Sequence, residues 1–345
     1  MFKLRVTQAS YGDCLILEFG PHTAPQYILI DGGPTKTYDP HLRPVLEQIG
    51  DGNGRLELVI LSHVDRDHVR GLLKLMAELR KQRIQGLRET VAVAALWHNG
   101  FSDTIDSSGT ITGRLQTALG LGGAVAAAEM ATVGGMVLSI SEGHNLSQFA
   151  ENLDIDINPD FENNVVMVDT APDDITFGNL TLHVVGPTQE NLDQLKEDWE
   201  DWLDEQEEAI ASGDPVLAAN ADKRVPDLSS IMVLAEAEGK SILLTGDGRS
   251  DHLIQGLAQA GLLSPQGTLH VSVLKLPHHG SDRNVTKPFF QTVTADKYVV
   301  SADGTHGNPD LATLIWIVEA AKERGQPVEL WVTNETHHTD DLQRD

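Results

Sequence analysis

The stretch "LSHVDRDHVRGL", residues 61–72, decides the fold because it joins an apolar run to a cluster of histidines and aspartates. The overlapping run "LELVILS" predicts a buried strand. The residues that follow the cluster have apolar side chains at helical spacing and predict an amphipathic helix. We therefore expect His63, Asp65, Asp67 and His68 on the loop between a strand and a helix, where α/β folds commonly place their chemistry.

Three further predicted strands end in similar residues. Asp31 follows "QYILI", Asp247 follows "SILLTG", and the pair His278 and His279 follows "SVLKLP". Four such endings predict that these side chains meet at one sheet edge. Imidazole with carboxylate is a ligand set for Zn²⁺, Mn²⁺ or Fe²⁺, and without a thiolate it favours a catalytic over a structural metal site. Bound cations would also remove the repulsion between the carboxylates.

Composition excludes some classes of function. Lys and Arg number 25 against 51 Asp and Glu, so the net charge is −26. This balance argues against a general polyanion-binding surface, although a nucleic-acid substrate held at a metal site stays compatible with it. The single cysteine, Cys14, forms no intrachain disulfide, and the start lacks a signal-peptide pattern, so we expect a cytoplasmic protein. The weakly apolar stretch 119–140 contains Glu129 and many Ala and Gly residues, which favours a core helix over a membrane span.

No linker or break in composition divides the chain, so we expect one domain over residues 1–345 with a frayed polar tail at about 334–345. Residues 189–208 carry ten acidic side chains and one Lys. An apolar stripe at helical spacing nevertheless predicts an amphipathic helix there. The stripe consists of Leu192, Leu195, Trp199, Trp202 and Leu203. We interpret this helix as a solvated insertion, and docking of a protein partner is the alternative.

The order "DGG", H-x-D-x-D-H, "GD" and "HHGS" resembles the metallo-β-lactamase-fold hydrolases. It is most similar to the branch that contains the hydrolase domain of the DNA-uptake protein ComEC, which also shows patterns like "YGDCLILEF" and "LKLPHHGS". The resemblance covers roughly residues 4–312, with about 100–175 and 189–225 poorly matched. It implies an α/β fold, a four-layer αββα sandwich with the metals at one edge of its two sheets.

The resemblance also implies ligands for two divalent cations, Zn²⁺ or Mn²⁺. His63 and Asp65 would bind the first, Asp67, His68 and His279 the second, and Asp247 both. His279 is preferred over His278 because the "GS" that follows it matches the motif of related phosphodiesterases, and the reverse assignment stays open. Asp31 resembles the acid that orients a ligand histidine in this family.

Two positions depart from the family pattern. Related chains supply one more histidine to the first metal, where "VVGPT" has Pro187, so we expect a weaker first metal site. His144 in "SEGHN" is an alternative source of that ligand. In "HGNPD", Asn308 stands where related chains often carry a histidine, and His306 lies two residues earlier as a candidate to bind substrate.

The implied chemistry is hydrolysis by a hydroxide held between two cations. Asp67 would orient this hydroxide, and His278 or His306 would protonate the leaving group. A phosphodiesterase or nuclease acting on a small or tethered phosphodiester or nucleotide is our first hypothesis. A lactone or amide hydrolase is the second, and a metal-stabilised subunit that binds a protein partner is the non-enzymatic alternative.

Overall fold

The computed structural model describes residues 1–106, 108–121, 127–212 and 229–344. Its first sheet has the strand order β1-β2-β3-β4-β6-β7, with β5 also pairing with β4. The pairs β1/β2 and β2/β3 are antiparallel, whereas β3/β4 and β4/β6 are parallel. The strands are β1 (Phe2–Val6), β2 (Leu15–Phe19), β3 (Gln26–Ile30), β4 (Arg55–Leu61), β5 (Ala92–Val93), β6 (Ala95–His98) and β7 (Asp156–Ile157).

The second sheet has the order β14-β13-β12-β11-β10-β9-β8. Strands β8 to β11 form antiparallel pairs, and strands β11 to β14 form parallel pairs. The sheet contains two hairpins, β8/β9 and β10/β11. The strands are β8 (Ile175–Phe177), β9 (Leu180–Gly186), β10 (Met232–Ala237), β11 (Lys240–Leu244), β12 (Leu269–Lys275), β13 (Val293–Val300) and β14 (Glu329–Val332).

Helices cover the outer face of each sheet. Helices α1, α2 and α5 share a buried core with the first sheet, and α7, α8 and α9 share another with the second. The helices are α1 (Arg43–Asp51), α2 (Arg66–Ile84), α3 (Phe101–Thr104), α4 (Thr110–Leu121), α5 (Ala127–Asn152), α6 (Gln189–Ser212), α7 (Ser250–Gln259), α8 (Lys287–Thr292), α9 (Leu311–Arg324) and α10 (His337–Arg344).

A third core lies between the two sheets, and side-chain alternation along the strands explains it. On β3, Ile28 and Ile30 face the inner core while Leu29 faces the helices. On β10, Val233 faces the inner core and Leu234 the outer one. Both faces of these strands are buried, as their continuous apolar runs predict. The layers are helix, sheet, sheet and helix, so the predicted αββα sandwich is confirmed.

The poorly matched segments contain helices. The stretch 119–140 is helical over 119–121 and 127–140, and the side chains of 119–138 lie outside the described residues. Helix α6 extends the helix predicted at 189–208, and its predicted apolar stripe is buried. Four residues of the stripe, from Leu195 to Leu203, pack with Phe101 of α3 and Ile111 of α4, whereas Leu192 packs with Val165 and Met167. Within the described ranges, no helix combines the length and apolarity that a membrane crossing requires.

The polar tail, which was expected to fray, contains helix α10 over His337–Arg344. Helix α10 forms there because Thr336 and Thr339 each accept a hydrogen bond from the other's backbone N–H, at 3.4 and 2.7 Å. Such reciprocal bonds satisfy amide groups that the first turn of a helix leaves unpaired. His338 Nδ1 lies 2.9 Å from the carbonyl oxygen of Pro309, which ties the helix to the body of the fold.

Candidate active site

The candidate site lies where four strands of the two sheets end. Asp31 follows β3, His63 follows β4 by two residues, Asp247 follows β11, and the two adjacent histidines follow β12. β3 is parallel to β4, and β11 is parallel to β12, so within each sheet these ends lie side by side. The four endings singled out from the sequence therefore converge at one edge of the sandwich.

Asp247 is at the centre of this cluster. Its Oδ1 lies 3.4 Å from His68 Nε2. Its Oδ2 lies 3.8 Å from His63 Nε2, 3.6 Å from His279 Nε2 and 3.7 Å from His278 Nε2. One carboxylate therefore faces four imidazoles, in a position where it could contact two cations at once.

Asp65 and Asp67 complete the two halves of the cluster. Asp65 Oδ2 lies 3.9 Å from His63 Nε2, while Asp67 Oδ2 lies 3.4 Å from His279 Nε2 and 3.9 Å from His68 Nε2. All six ligands predicted from the sequence are brought together. His68 lies close to both halves, because its donor atoms group with those of His63 and Asp247 as well as with those of Asp67 and His279.

The donor atoms suit divalent cations. Two ligand atoms, each about 2.1 Å from a tetrahedral cation, lie about 3.4 Å apart, close to the distances found here. The Nε2 atoms of His63, His68 and His279 are buried and have no hydrogen-bond partner among the described residues. Buried polar atoms of this kind normally have a partner. Three nitrogens directed at one carboxylate therefore fit a metal centre.

Asp31 holds one of these imidazoles in place. Its Oδ2 lies 2.9 Å from His68 Nδ1 and accepts a hydrogen bond from the Ser62 hydroxyl at 2.7 Å. Its Oδ1 accepts a hydrogen bond from the Ser62 backbone N–H at 2.8 Å. The following Gly32 packs directly on Gly71 of α2, where a side chain would collide with the helix backbone. The "DGG" motif thus allows the strand end and the helix to approach closely.

The cluster has distinct protonation preferences. Burial, with the neighbouring His68, lowers the pKa of His63 to about 3, so this ring is neutral at pH 7. Burial also disfavours charge on His279, but Asp247 and Asp13 outweigh it and raise its pKa to about 10. The pKa of His68 is raised against the same effect of burial, chiefly by Asp247. Two imidazoles therefore hold protons that a bound cation would displace.

Two carboxylates of the cluster, Asp247 and Asp67, are ionised. Burial works to raise the pKa of Asp247, but His279 and then His68 hold it well below its usual range. Burial likewise works to raise the pKa of Asp67, and His68 and His279 lower it overall. The site therefore offers negatively charged oxygen donors at neutral pH, which hard divalent cations prefer.

The sequence analysis missed two residues beside this cluster, Asp13 and Lys275. Both are almost fully buried, and Lys275 Nζ lies 2.6 Å from Asp13 Oδ2. Asp13 Oδ1 lies 3.5 Å from His279 Nδ1. Both residues stand in motifs that carry the family resemblance, "YGDCLILEF" and "LKLPHHGS". They were not singled out because Asp13 precedes a strand instead of following one, and Lys275 lies within a predicted strand.

Apart from His278, the other candidates lie outside the cluster. His306 is exposed, with its ring 5.1 Å from the ring of Tyr11. His144 is exposed on α5 and its Nε2 lies 2.8 Å from the Gln148 amide nitrogen, so it does not replace the missing ligand. Pro187 is buried at the end of β9 and offers no ligand side chain. His278 is about a third exposed at the mouth of the cluster.

An apolar cavity adjoins the cluster. The space inside it that water could occupy is about 30 Å³. Val64, between the site residues His63 and Asp65, forms part of its wall, as does Ser229. The next residue, Ser230, accepts a hydrogen bond from the Asp247 backbone N–H at 3.3 Å. The remaining apolar lining comes from Phe101, Ile105, Ile140, Leu195 and Trp199.

Residues 13–144 match the model of the Metallo-beta-lactamase superfamily. The match covers less than half of the chain and includes the first four predicted ligands and Asp13. Together with the sandwich fold and the cluster, it supports a metal-dependent hydrolase of this superfamily. No curated protein matches the chain.

Two solved structures are similar to the chain along nearly its whole length. One is described as "Putative metal-dependent hydrolase from Parabacteroides distasonis ATCC 8503", with 8% identity, a TM-score of 0.35, and coverage of 96% of this chain and 98% of that one. The other is Zn²⁺-bound PqqB from Methylobacterium extorquens, with 12% identity, a TM-score of 0.40 and the same coverage. At these scores we draw nothing further from the likeness.

Proposed function

We propose that the protein is a metal-dependent phosphodiesterase, acting as a nuclease or a nucleotide phosphodiesterase with two divalent cations, Zn²⁺ or Mn²⁺. The observation that carries this proposal is the buried cluster in which imidazole nitrogens lie 3.4–3.8 Å from the Asp247 carboxylate. The proposed ligands are His63, Asp65, Asp67, His68, Asp247 and His279.

Two bound cations would supply Lewis acidity, which activates water and stabilises charge that develops on oxygen. The chain's own residues then have separate tasks. Asp67 is partly exposed, so its carboxylate can accept a hydrogen bond from the attacking water and orient it. His278 lies at the mouth, where it can donate a proton to the leaving oxygen. His306 is the alternative donor.

Two features support phosphodiester chemistry. Three of the six proposed ligands are carboxylates, and oxygen donors suit the cations that act on phosphates. The motif order also resembles the ComEC-type branch of the fold. Because the net charge is −26, we propose a small or tethered substrate rather than long DNA bound along the surface. We also propose a cytoplasmic location, since the chain relies on no disulfide.

A lactone or amide hydrolase is the second candidate, and the apolar cavity favours it. Val64, next to two proposed ligands, forms part of the cavity wall, and aromatic and aliphatic side chains form most of the lining. Such a surface suits the hydrocarbon part of an ester or amide better than a phosphate group. Replacing Trp199 by Ala would raise the KM for a substrate whose apolar group lies there.

The test compares matched variants after chelation and reconstitution with Mn²⁺, Mg²⁺ or Zn²⁺. Asp247→Ala should abolish turnover of bis-nitrophenyl phosphate, DNA, RNA or cyclic dinucleotides while thermal unfolding shows an intact fold. His144→Ala, which removes an exposed histidine outside the cluster, should keep full activity. Hydrolysis of lactones or amides without any phosphodiester turnover would reject the phosphodiesterase and select the second candidate.

We further propose that residues 1–345 form one domain. The support is the core between the sheets, which draws residues from β2, β3 and β4 on one side and from β9, β10 and β11 on the other. Limited proteolysis that released a stable half of the chain would contradict this.

A further inference from the structure

A buried ion pair connects the two sheets beside the candidate site. Asp13 lies at the start of β2 in the first sheet, and Lys275 ends β12 in the second. Lys275 Nζ lies 2.6 Å from Asp13 Oδ2 and donates a hydrogen bond to the Leu276 carbonyl at 2.9 Å. Both side chains are at most 1% exposed. A buried lysine without a partner is strongly unfavourable, so this pair must form for the two sheet edges to close.

The same aspartate contacts the proposed metal ligand His279. Its Oδ1 lies 3.5 Å from Nδ1, while Nε2 on the other side of the ring faces Asp67 and Asp247. The backbone of His278, His279 and Gly280 has φ values of 46°, 55° and 87°, a left-handed run that residues with side chains seldom adopt. The turn places the His279 ring between Asp13 on its Nδ1 side and the two carboxylates on its Nε2 side.

The loop that carries Asp13 is itself fixed at three points. The Asp13 backbone N–H donates to the Asp67 carbonyl at 3.3 Å, and the Ser301 hydroxyl donates to the Gly12 carbonyl at 2.6 Å. Gly12 fits against the Asp67 backbone only because it has no side chain. The loop thus lies between the helix that carries Asp67 and the strand ends of the second sheet.

We propose that Asp13 is a positioning residue that directs the His279 ring toward the second cation, and that Lys275 holds Asp13 in that position. Lys275, at 2.6 Å, already neutralises the negative charge of Asp13, so this carboxylate is poorly suited to bind a cation. In this respect Asp13 differs from the proposed ligand carboxylates. Metal affinity therefore depends on the contact that closes the two sheets. This inference rests on the proposed metal centre.

The test removes the pair as a unit, in Asp13→Asn/Lys275→Met. Replacing a buried ion pair by residues of similar volume is often neutral for folding, so thermal unfolding should stay close to that of the wild type. The affinity for one of two equivalents of Zn²⁺, measured by chelator competition, should fall by about 10- to 100-fold. The absorption spectrum of the Co²⁺-loaded protein should change as well.

Two further variants make the result specific. Thr245→Val removes a buried hydroxyl that donates to the Lys275 carbonyl at 2.7 Å, without touching His279, and should keep the wild-type affinity. Asp13→Glu keeps the ion pair but shifts the carboxylate, so it should fold and still lose affinity, which covers the case of a double variant that does not fold.

The three possible results of these measurements lead to different conclusions. Folded Asp13 variants with wild-type Zn²⁺ affinity and Co²⁺ spectrum would overturn this inference and leave the proposed metal centre intact. Loss of one whole equivalent, rather than weaker binding, would make Asp13 a ligand and also overturn it. A wild-type protein that binds neither Zn²⁺ nor Co²⁺ would overturn the metal centre and this inference together.

Discussion

Substituting Asp31 by Asn tests whether the cluster is built to present His68 to a cation. An aspartate only accepts hydrogen bonds, so with Asp31 Oδ2 at 2.9 Å the ring must carry its proton on Nδ1. That tautomer leaves Nε2 free to bind a cation. An asparagine would keep its oxygen toward the Ser62 backbone N–H and turn its amide toward the ring. The proton would then move to Nε2, where it blocks the cation.

The expected magnitude follows from these contacts. Losing the partner that orients a metal-binding histidine costs about 10- to 100-fold in affinity, or about 1.4–2.7 kcal/mol. The free energy of unfolding should fall by less than the number of Asp31 hydrogen bonds suggests. Asp31 has φ 56°, a conformation that asparagine tolerates, and the bond to the Ser62 N–H survives. We expect a loss of about 1–3 kcal/mol in the free energy of unfolding.

The assay is chelator competition with Zn²⁺, alongside denaturant unfolding of the metal-free protein. Asp106→Asn is the matched control, because Asp106 is also buried and accepts backbone N–H bonds from Ile111 at 2.9 Å and Thr112 at 2.7 Å, at the start of α4. It should lose stability without losing Zn²⁺ affinity. An Asp31→Asn protein with wild-type affinity would refute the tautomer reasoning.

Three further predictions concern charge and roles within and around the site. In the metal-free protein the pKa of His279 is about 10, because carboxylates outweigh the effect of burial. Its protonated ring therefore stabilises the fold fully below pH about 6.5, and this contribution is lost as pH rises toward 10. Zn²⁺ affinity should rise over the same range, since the cation displaces that proton, and Zn²⁺ titrations and thermal unfolding from pH 6.5 to 9 check both trends. His279→Ala should remove the second cation and abolish turnover, whereas His278→Ala should bind two cations and lose about 10²-fold or more in kcat; equilibrium dialysis that gave the opposite stoichiometries would exchange the two roles. Replacing the exposed acids Glu197, Glu200 and Asp201 by their amides should leave turnover of a small phosphodiester unchanged, and faster cleavage of long DNA with a flatter salt dependence would instead show that α6 repels polyanions.

The sequence predicted the parts of the site that follow strands. Apolar runs such as "LVILS" and "SILLTG" identify buried strands, and parallel pairing then brings their carboxyl ends together, which is why His63 and Asp247 were found. The two-sheet sandwich was implied by the resemblance of the motif order to the metallo-β-lactamase-fold hydrolases, and the buried faces of the strands account for its packing.

Other features depend on contacts that no local pattern reveals. Asp13 reaches the site from the turn between β1 and β2, and Lys275 occupies a strand position that reads as apolar. Their proximity appears only when the two sheets are packed together. The helix in the polar tail was not predicted for a similar reason, because its polar composition hides the reciprocal bonds of Thr336 and Thr339 and the contact of His338 with Pro309.

The central claim, a metal-dependent phosphodiesterase, is tested most directly by titrating the chelator-treated protein with Mn²⁺ or Zn²⁺ and measuring bis-nitrophenyl phosphate hydrolysis at each step. We predict no turnover without metal and a rate that rises until about two equivalents are bound. A folded protein that binds two equivalents and shows no phosphodiester hydrolysis with either metal would contradict it.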